Sequence, residues 1–210
     1  MIILLAMVSG SVMASDWHHY RVTITNATSH HVITPPLIVV HNRHFKLFNV
    51  ATAASDGLAT QAETGSPAGL YDEVSGARGV YNVITGSDVI VYGNKATFEI
   101  SAPKNAMISM TAMLATSNDA FTAIAGKPLP RKQVTYMGET YDAGSEENNE
   151  NCAFIPGPPC AGDSGNKRAT EGAEGFITIH AGIKGGNDLN PAHLDWRGAS
   201  SIVLIKRIAN

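Results

Sequence analysis

Short runs in which apolar or branched residues alternate with polar ones recur along the chain, and turn-forming residues separate them. Residues 20–25 (YRVTIT), 96–102 (ATFEISA) and 201–208 (SIVLIKRI) show this pattern most clearly. Successive side chains of an extended backbone point to opposite faces, so each run reads as a strand with one buried face. Residues 37–41 (LIVVH), 79–84 (GVYNVI), 88–92 (DVIVY), 107–115 (MISMTAMLA) and 176–182 (FITIHAG) add strand material, with Gly86 and Ser87 turning the chain between two of them. Helical signal is confined to residues 51–65, alanine-rich and ended near Gly65, and to residues 70–74, while 45–50 (FKLFNV) reads as either a strand continuation or a brief helix. Seven to nine strands, a few short helices, 20 Gly and 10 Pro describe an all-β chain, an antiparallel β-sandwich or irregular barrel rather than an alternating α/β domain. No linker or internal repeat divides the 210 residues, so residues 15–210 are expected to form one domain.

Residues 1–14 (MIILLAMVSGSVMA) form a short apolar run closed by small residues at positions 12 and 14 and read as a signal peptide, although no Lys or Arg precedes the run. Secretion or periplasmic export follows as an expectation, and no other apolar run is long enough for a transmembrane helix. With 15 basic against 18 acidic residues, the formal charge of −3 gives no general attraction to nucleic acid or an anionic membrane. Lys206 and Arg207 on the last strand read as sheet-edge solvation. Asn26-Ala27-Thr28 spells an N-glycosylation triplet.

Both cysteines, Cys152 and Cys160, enclose seven residues with three prolines and a glycine, which in an oxidising compartment favours a structural disulfide over a thiol metal site. They close the stretch YDAGSEENNENCAFIPGPPC, the most acid- and amide-rich part of the chain. Calcium prefers several carboxylate and carbonyl oxygens in irregular loops. Asp119, Asp142 and Glu146 would meet if the turns at 117–121 and 141–146 share one edge of the sandwich, with Gly144 allowing the bend and Asn118 and Asn148 adding carbonyl oxygens. A merely solvated acidic loop is the competing reading. The histidine pairs at 18–19, 30–31 and 41/44 invite zinc, but neighbouring strand residues face opposite sides. His180 could serve as a general base, yet no Gly-x-Ser-x-Gly elbow accompanies it. Residues 182–188 (GIKGGND) lack the full phosphate-loop pattern and read as a plain loop.

Taken in order, YRVTITNAT, PPLIVVH, ASDGLATQAETG, SNDAF, YDAGSE, EGFITIHAG and DWRGASSIVLIKR resemble the spondin domain, in a compact bacterial secreted form of the domain at the front of extracellular F-spondin. The resemblance spans about residues 20–208. It implies a β-sandwich similar to calcium-binding sandwich modules, with a divalent ion held by acidic loops at one edge. Asp119 corresponds to the acid of the family's Ser-x-Asp turn and Asp142 to that of its Asp-Ala-Gly turn, while Glu146 stands where a Thr-Asp ending is more typical. Trp196 corresponds to a late aromatic anchor, expected to close the core with its indole N–H on an acceptor. The implied function is non-enzymatic binding or cell adhesion, with a surface protein, extracellular-matrix component or glycan as partner. A purely structural envelope or matrix role and, more remotely, a metal-assisted hydrolase are the other readings.

Overall fold

The computed structural model describes residues 17–160 and 167–209, so the segment expected to be a signal peptide, residues 1–14, lies outside the described residues. Nine strands form one antiparallel system that folds back on itself as a sandwich. In chain order they are β1 (Trp17–Asn26), β2 (Leu37–His41), β3 (Val80–Thr85), β4 (Lys95–Pro103), β5 (Met107–Met113), β6 (Ala120–Pro128), β7 (Gln133–Asp142), β8 (Thr178–Ile179) and β9 (Ser201–Ile208). Helices α1 (Asp56–Thr64) and α2 (Ala68–Val74) follow β2, and α3 (Pro191–Leu194) precedes β9.

The strand order is β3-β2-β5-β6-β7-β9-β1-β4, with β8 added beside β7. Strand β7 belongs to both layers: Gln133–Gly138 pair with β9, and Glu139–Asp142 pair with β6. The changeover falls at Gly138, where an added Cβ would lie 2.0 Å from Ser201 Oγ, so only glycine admits so close an approach. Between the layers sit Val22, Ile24, Ile100, Val203 and Ile205 from one sheet and Ile38, Val40, Ile108, Met110 and Ile124 from the other, all essentially inaccessible. Burying one such side chain contributes about 1.5–3 kcal/mol.

The two helices cover the outer face of the second sheet, where Leu58, Ala62, Leu70 and Val74 pack on Leu37, Val39, Phe121 and Ala123. Strand β2 is therefore buried on both faces, which is why its sequence is a continuous apolar run instead of an alternation. Ser55 caps α1 by accepting from Leu58 N–H, and Gly65 ends it in the left-handed region with φ 77°. Residues 45–50 form neither strand nor helix, and residues 88–92 contribute only a single bridge, Ile33 to Ile90. The glycosylation triplet is not presented by the folded chain, because Asn26 is buried. Its Nδ2 donates to the carbonyls of His31 and Ile90, and its Oδ1 accepts from Thr28.

Candidate metal centre at the acidic edge

Strands β6 and β7 place the turns at 117–121 and 141–146 side by side at one end of the sandwich. Ala120 pairs with Asp142 across the ladder, and Ala143 N–H donates to the Asp119 carbonyl at 3.2 Å. The chain reverses after β7 at Gly144, whose φ is 67° and whose added Cβ would lie 2.3 Å from the Phe176 carbonyl oxygen. That reversal wraps the backbone around the Asp119 carboxylate. Oδ2 accepts from Ser145 N–H at 2.7 Å, Ser145 Oγ at 3.1 Å and Glu146 N–H at 2.9 Å. Glu146 turns inward beside it and accepts from Ala169 N–H through Oε1 at 2.8 Å.

Each of these two carboxylates keeps one buried oxygen, Asp119 Oδ1 and Glu146 Oε2, with no hydrogen-bond partner among the described residues. Both side chains are almost inaccessible, at 0% and 1%. Burial first, then the negative charge of Asp142, pushes the Asp119 carboxyl up to about 7. Burial also pushes Glu146 up to about 7, with Glu63 and Asp119 adding to it against the N–H of Ala169 and the charge of Arg168. Arg168, whose charge acts on Glu146, is itself held on Glu63 at 2.6 Å. Two buried carboxyl groups, each with one free oxygen, offer the donor chemistry that a hard cation takes.

The other three expected ligands are engaged by protein. Asp142 accepts from Gly144 N–H through Oδ1 at 2.6 Å and from the Asn148 amide through Oδ2, while burial and then, among charges, Glu174 raise its pKa. Asn148 Oδ1 accepts from His180 Nε2 at 2.9 Å. Asn118 accepts from Glu150 N–H and donates to Asn149. Among the described residues no three His, Cys, Asp or Glu side chains converge with metal-site geometry. The five expected ligands thus share one edge but divide into two groups: Asp119 and Glu146 point into the fold with spare oxygens, whereas Asn118, Asp142 and Asn148 line a cleft of about 120 Å³. The donor chemistry fits a cation at the two free oxygens, whereas both Asp142 oxygens are taken by Gly144 and Asn148.

The remaining motifs find definite places. Cys152 and Cys160 are disulfide-bonded, and their loop docks on the strand end that leads to Asp119 through Gly157 N–H to the Ala115 carbonyl and Thr116 Oγ to the Pro158 carbonyl. The glycine-rich turn at 182–188 does cradle an anion, but an internal one. Lys184, Gly185 and Gly186 donate their N–H groups to the Glu150 carboxylate at 2.5–2.8 Å. His180 accepts from Gly182 N–H on Nδ1 and faces Asn148 on Nε2, so both nitrogens are occupied and neither meets a nucleophile. Burial holds its pKa down near 4. Trp196 lies edge-on between His31 and His180, at 5.2 and 5.0 Å, and closes the gap between the main core and the cluster around the disulfide.

The Spondin_N family model matches residues 24–148. The chain belongs to the spondin N-terminal domain family. The match runs from β1 through Asn148, so it contains all five expected ligands and stops before the disulfide loop, His180, Trp196 and β9. A search of curated proteins returns no match. Spondin domains are an extracellular and generally non-enzymatic family, and no described helix is long and apolar enough to cross a membrane.

Proposed function

We propose that this spondin domain is a secreted or periplasmic, non-enzymatic binding module in which one calcium ion stiffens the acidic edge. Residues 1–14 serve as its signal peptide, and residues 15–210 act as one domain. Asp119 and Glu146 anchor the ion through the oxygens that have no partner among the described residues, and Asp142 completes the acidic set. Asn118 and Asn148 hold the surrounding loops. The pair of unpartnered buried carboxylate oxygens carries this reading, because leaving two anions dry and uncompensated opposes folding. Since both side chains are inaccessible, the ion acts on the loops rather than touching the partner, which is a surface protein, a matrix component or a glycan. The non-enzymatic reading draws support from His180, whose nitrogens are both engaged.

Titration calorimetry of calcium into the disulfide-oxidised, metal-free protein tests the proposal, with magnesium as control. Saturable binding selective for calcium, lost in Asp119→Asn and weakened in Asp142→Asn, is the expected result. Absence of heat with calcium, or an unchanged isotherm in Asp119→Asn, rejects the assignment.

A further inference from the structure

The formal charge of −3 conceals a strongly uneven distribution. The starts of β1 and β7 and the ends of β4, β6 and β9 meet at the end of the sandwich opposite Asp119 and Asp142. Two grooves open there. One, of about 550 Å³, is lined by Arg43, Lys104, Arg131 and Arg207 over a floor that includes Tyr20, Ala106 and Leu129. The second, of about 570 Å³, is lined by Arg131, Lys132, Lys206 and Arg207. Arg131 and Arg207 belong to both, so the two form a continuous depression.

All six cations are exposed, and no acidic residue lines either groove. The ion pairs among the described residues, Arg21–Glu99, Arg168–Glu63 and Arg197–Asp195, include none of them. The backbone holds the cluster in place: Arg207 N–H donates to the Lys132 carbonyl at 2.7 Å, and the Arg207 guanidinium meets His18 Nδ1 at 2.8 Å. The acidic edge does not cancel this field. The ten residues of β7 separate the two ends by roughly 30 Å at the usual rise per residue. Screening at physiological salt acts over about 8 Å.

We propose that this basic end is a binding groove for a polyanionic polysaccharide, one carrying sulfate or carboxylate groups along an extended chain. Planar guanidinium groups in a row match such anions bidentately. A continuous concave track suits a chain better than a single small anion. A bilayer would call for projecting apolar side chains. The large exposed aromatics at this end, Trp17 and Tyr81, instead pack edge to face on one another at 6.4 Å. The groove is independent of the calcium proposal, since the two sites occupy opposite ends.

Heparin is the probe. The oxidised protein should be retained on immobilised heparin at low salt, elute as sodium chloride rises, and behave the same in calcium chelator. Arg131→Ser with Arg207→Ser should weaken heparin binding about tenfold or more, as expected for losing two charge-assisted contacts. Its thermal midpoint should stay unchanged, because both side chains are exposed. Lys95→Glu, at the far end of β4, should leave heparin binding intact. No retention at low salt overturns the proposal, as does equal binding by the double variant. An equal loss in Lys95→Glu would show a response to net charge alone and also overturn it. Binding to phosphatidylserine vesicles without binding to heparin would assign the groove to a membrane surface instead.

Discussion

Replacing Asp119 by Asn separates what that carboxylate does for the fold from what it does for an ion. The amide oxygen can accept the three hydrogen bonds now made by Oδ2, so the turn at 143–146 keeps its anchor. The charge, however, disappears. Because the folded-state pKa of about 7 lies above the ordinary 3.8, the folded chain holds the Asp119 proton more tightly than the unfolded one. The stabilising contribution is therefore complete below 3.8 and is lost as pH rises through about 7. The whole rise would correspond to ~4 kcal/mol at 1.36 kcal/mol per pH unit, and part of it stems from the neighbouring Asp142 charge. In chelator at pH 8, Asp119→Asn should then be more stable than the wild type, by about 2–4 kcal/mol. Calcium at a thousandfold excess over its Kd should reverse the order, since it adds about 4.1 kcal/mol to the protein that binds it. Urea unfolding at pH 8, with chelator and with calcium, reads both effects. A variant that is less stable than the wild type in chelator refutes the reasoning, because Asp119 would then be favourable as a bare anion.

Cys152→Ser opens a loop with a sequence separation of 8 and should cost about 2–3 kcal/mol, seen as faster limited proteolysis between residues 152 and 160; unchanged cleavage would make the disulfide dispensable. Burial holds His31 near 4, with Nε2 on the Leu194 carbonyl at 2.6 Å, so its contribution to stability is present above 6.5 and is lost as pH falls towards 4. The stability advantage of wild type over His31→Gln should accordingly shrink by about 3 kcal/mol between pH 7 and pH 4 in urea unfolding, and a constant difference would contradict it. Glu150→Ala removes the acceptor of three backbone N–H groups and should destabilise by about 2–4 kcal/mol, with faster amide hydrogen exchange at Lys184, Gly185 and Gly186; unaltered exchange there would show that the turn holds itself.

The strands most legible in the sequence, β1, β4 and β9, are those with one face buried, where alternation survives. Strands β6 and β7 escaped for opposite reasons. Ala120 to Ile124 in β6 are buried throughout, which erases the alternation, and β7 is interrupted at Gly138 where it changes partner. Conversely, 88–92 has strand-like composition, yet Val89, Val91 and Tyr92 are exposed. The shared edge of Asp119 and Asp142 could be reasoned from their turns, whereas their hydrogen-bond states could not. Nothing local signals that Glu63 and Arg168, 105 residues apart, pair beside Glu146, or that Glu150 fills the glycine-rich turn. The basic grooves were hidden in the same way, since Arg43, Lys104, Arg131 and Arg207 are dispersed in sequence and meet only where the strand ends converge. Lys206 and Arg207 sit on β9, which lies between β7 and β1 rather than at a sheet edge.

In the proposed site Asp119 and Glu146 share a cation through the oxygens that no group among the described residues satisfies. Anomalous diffraction from crystals grown with calcium, or with a lanthanide in its place, tests it most directly. An anomalous peak about 2.3–2.6 Å from Asp119 Oδ1 and Glu146 Oε2 is the predicted result for calcium. A peak bound only by Asp142 and the cleft residues, or no peak at saturating calcium, would contradict it.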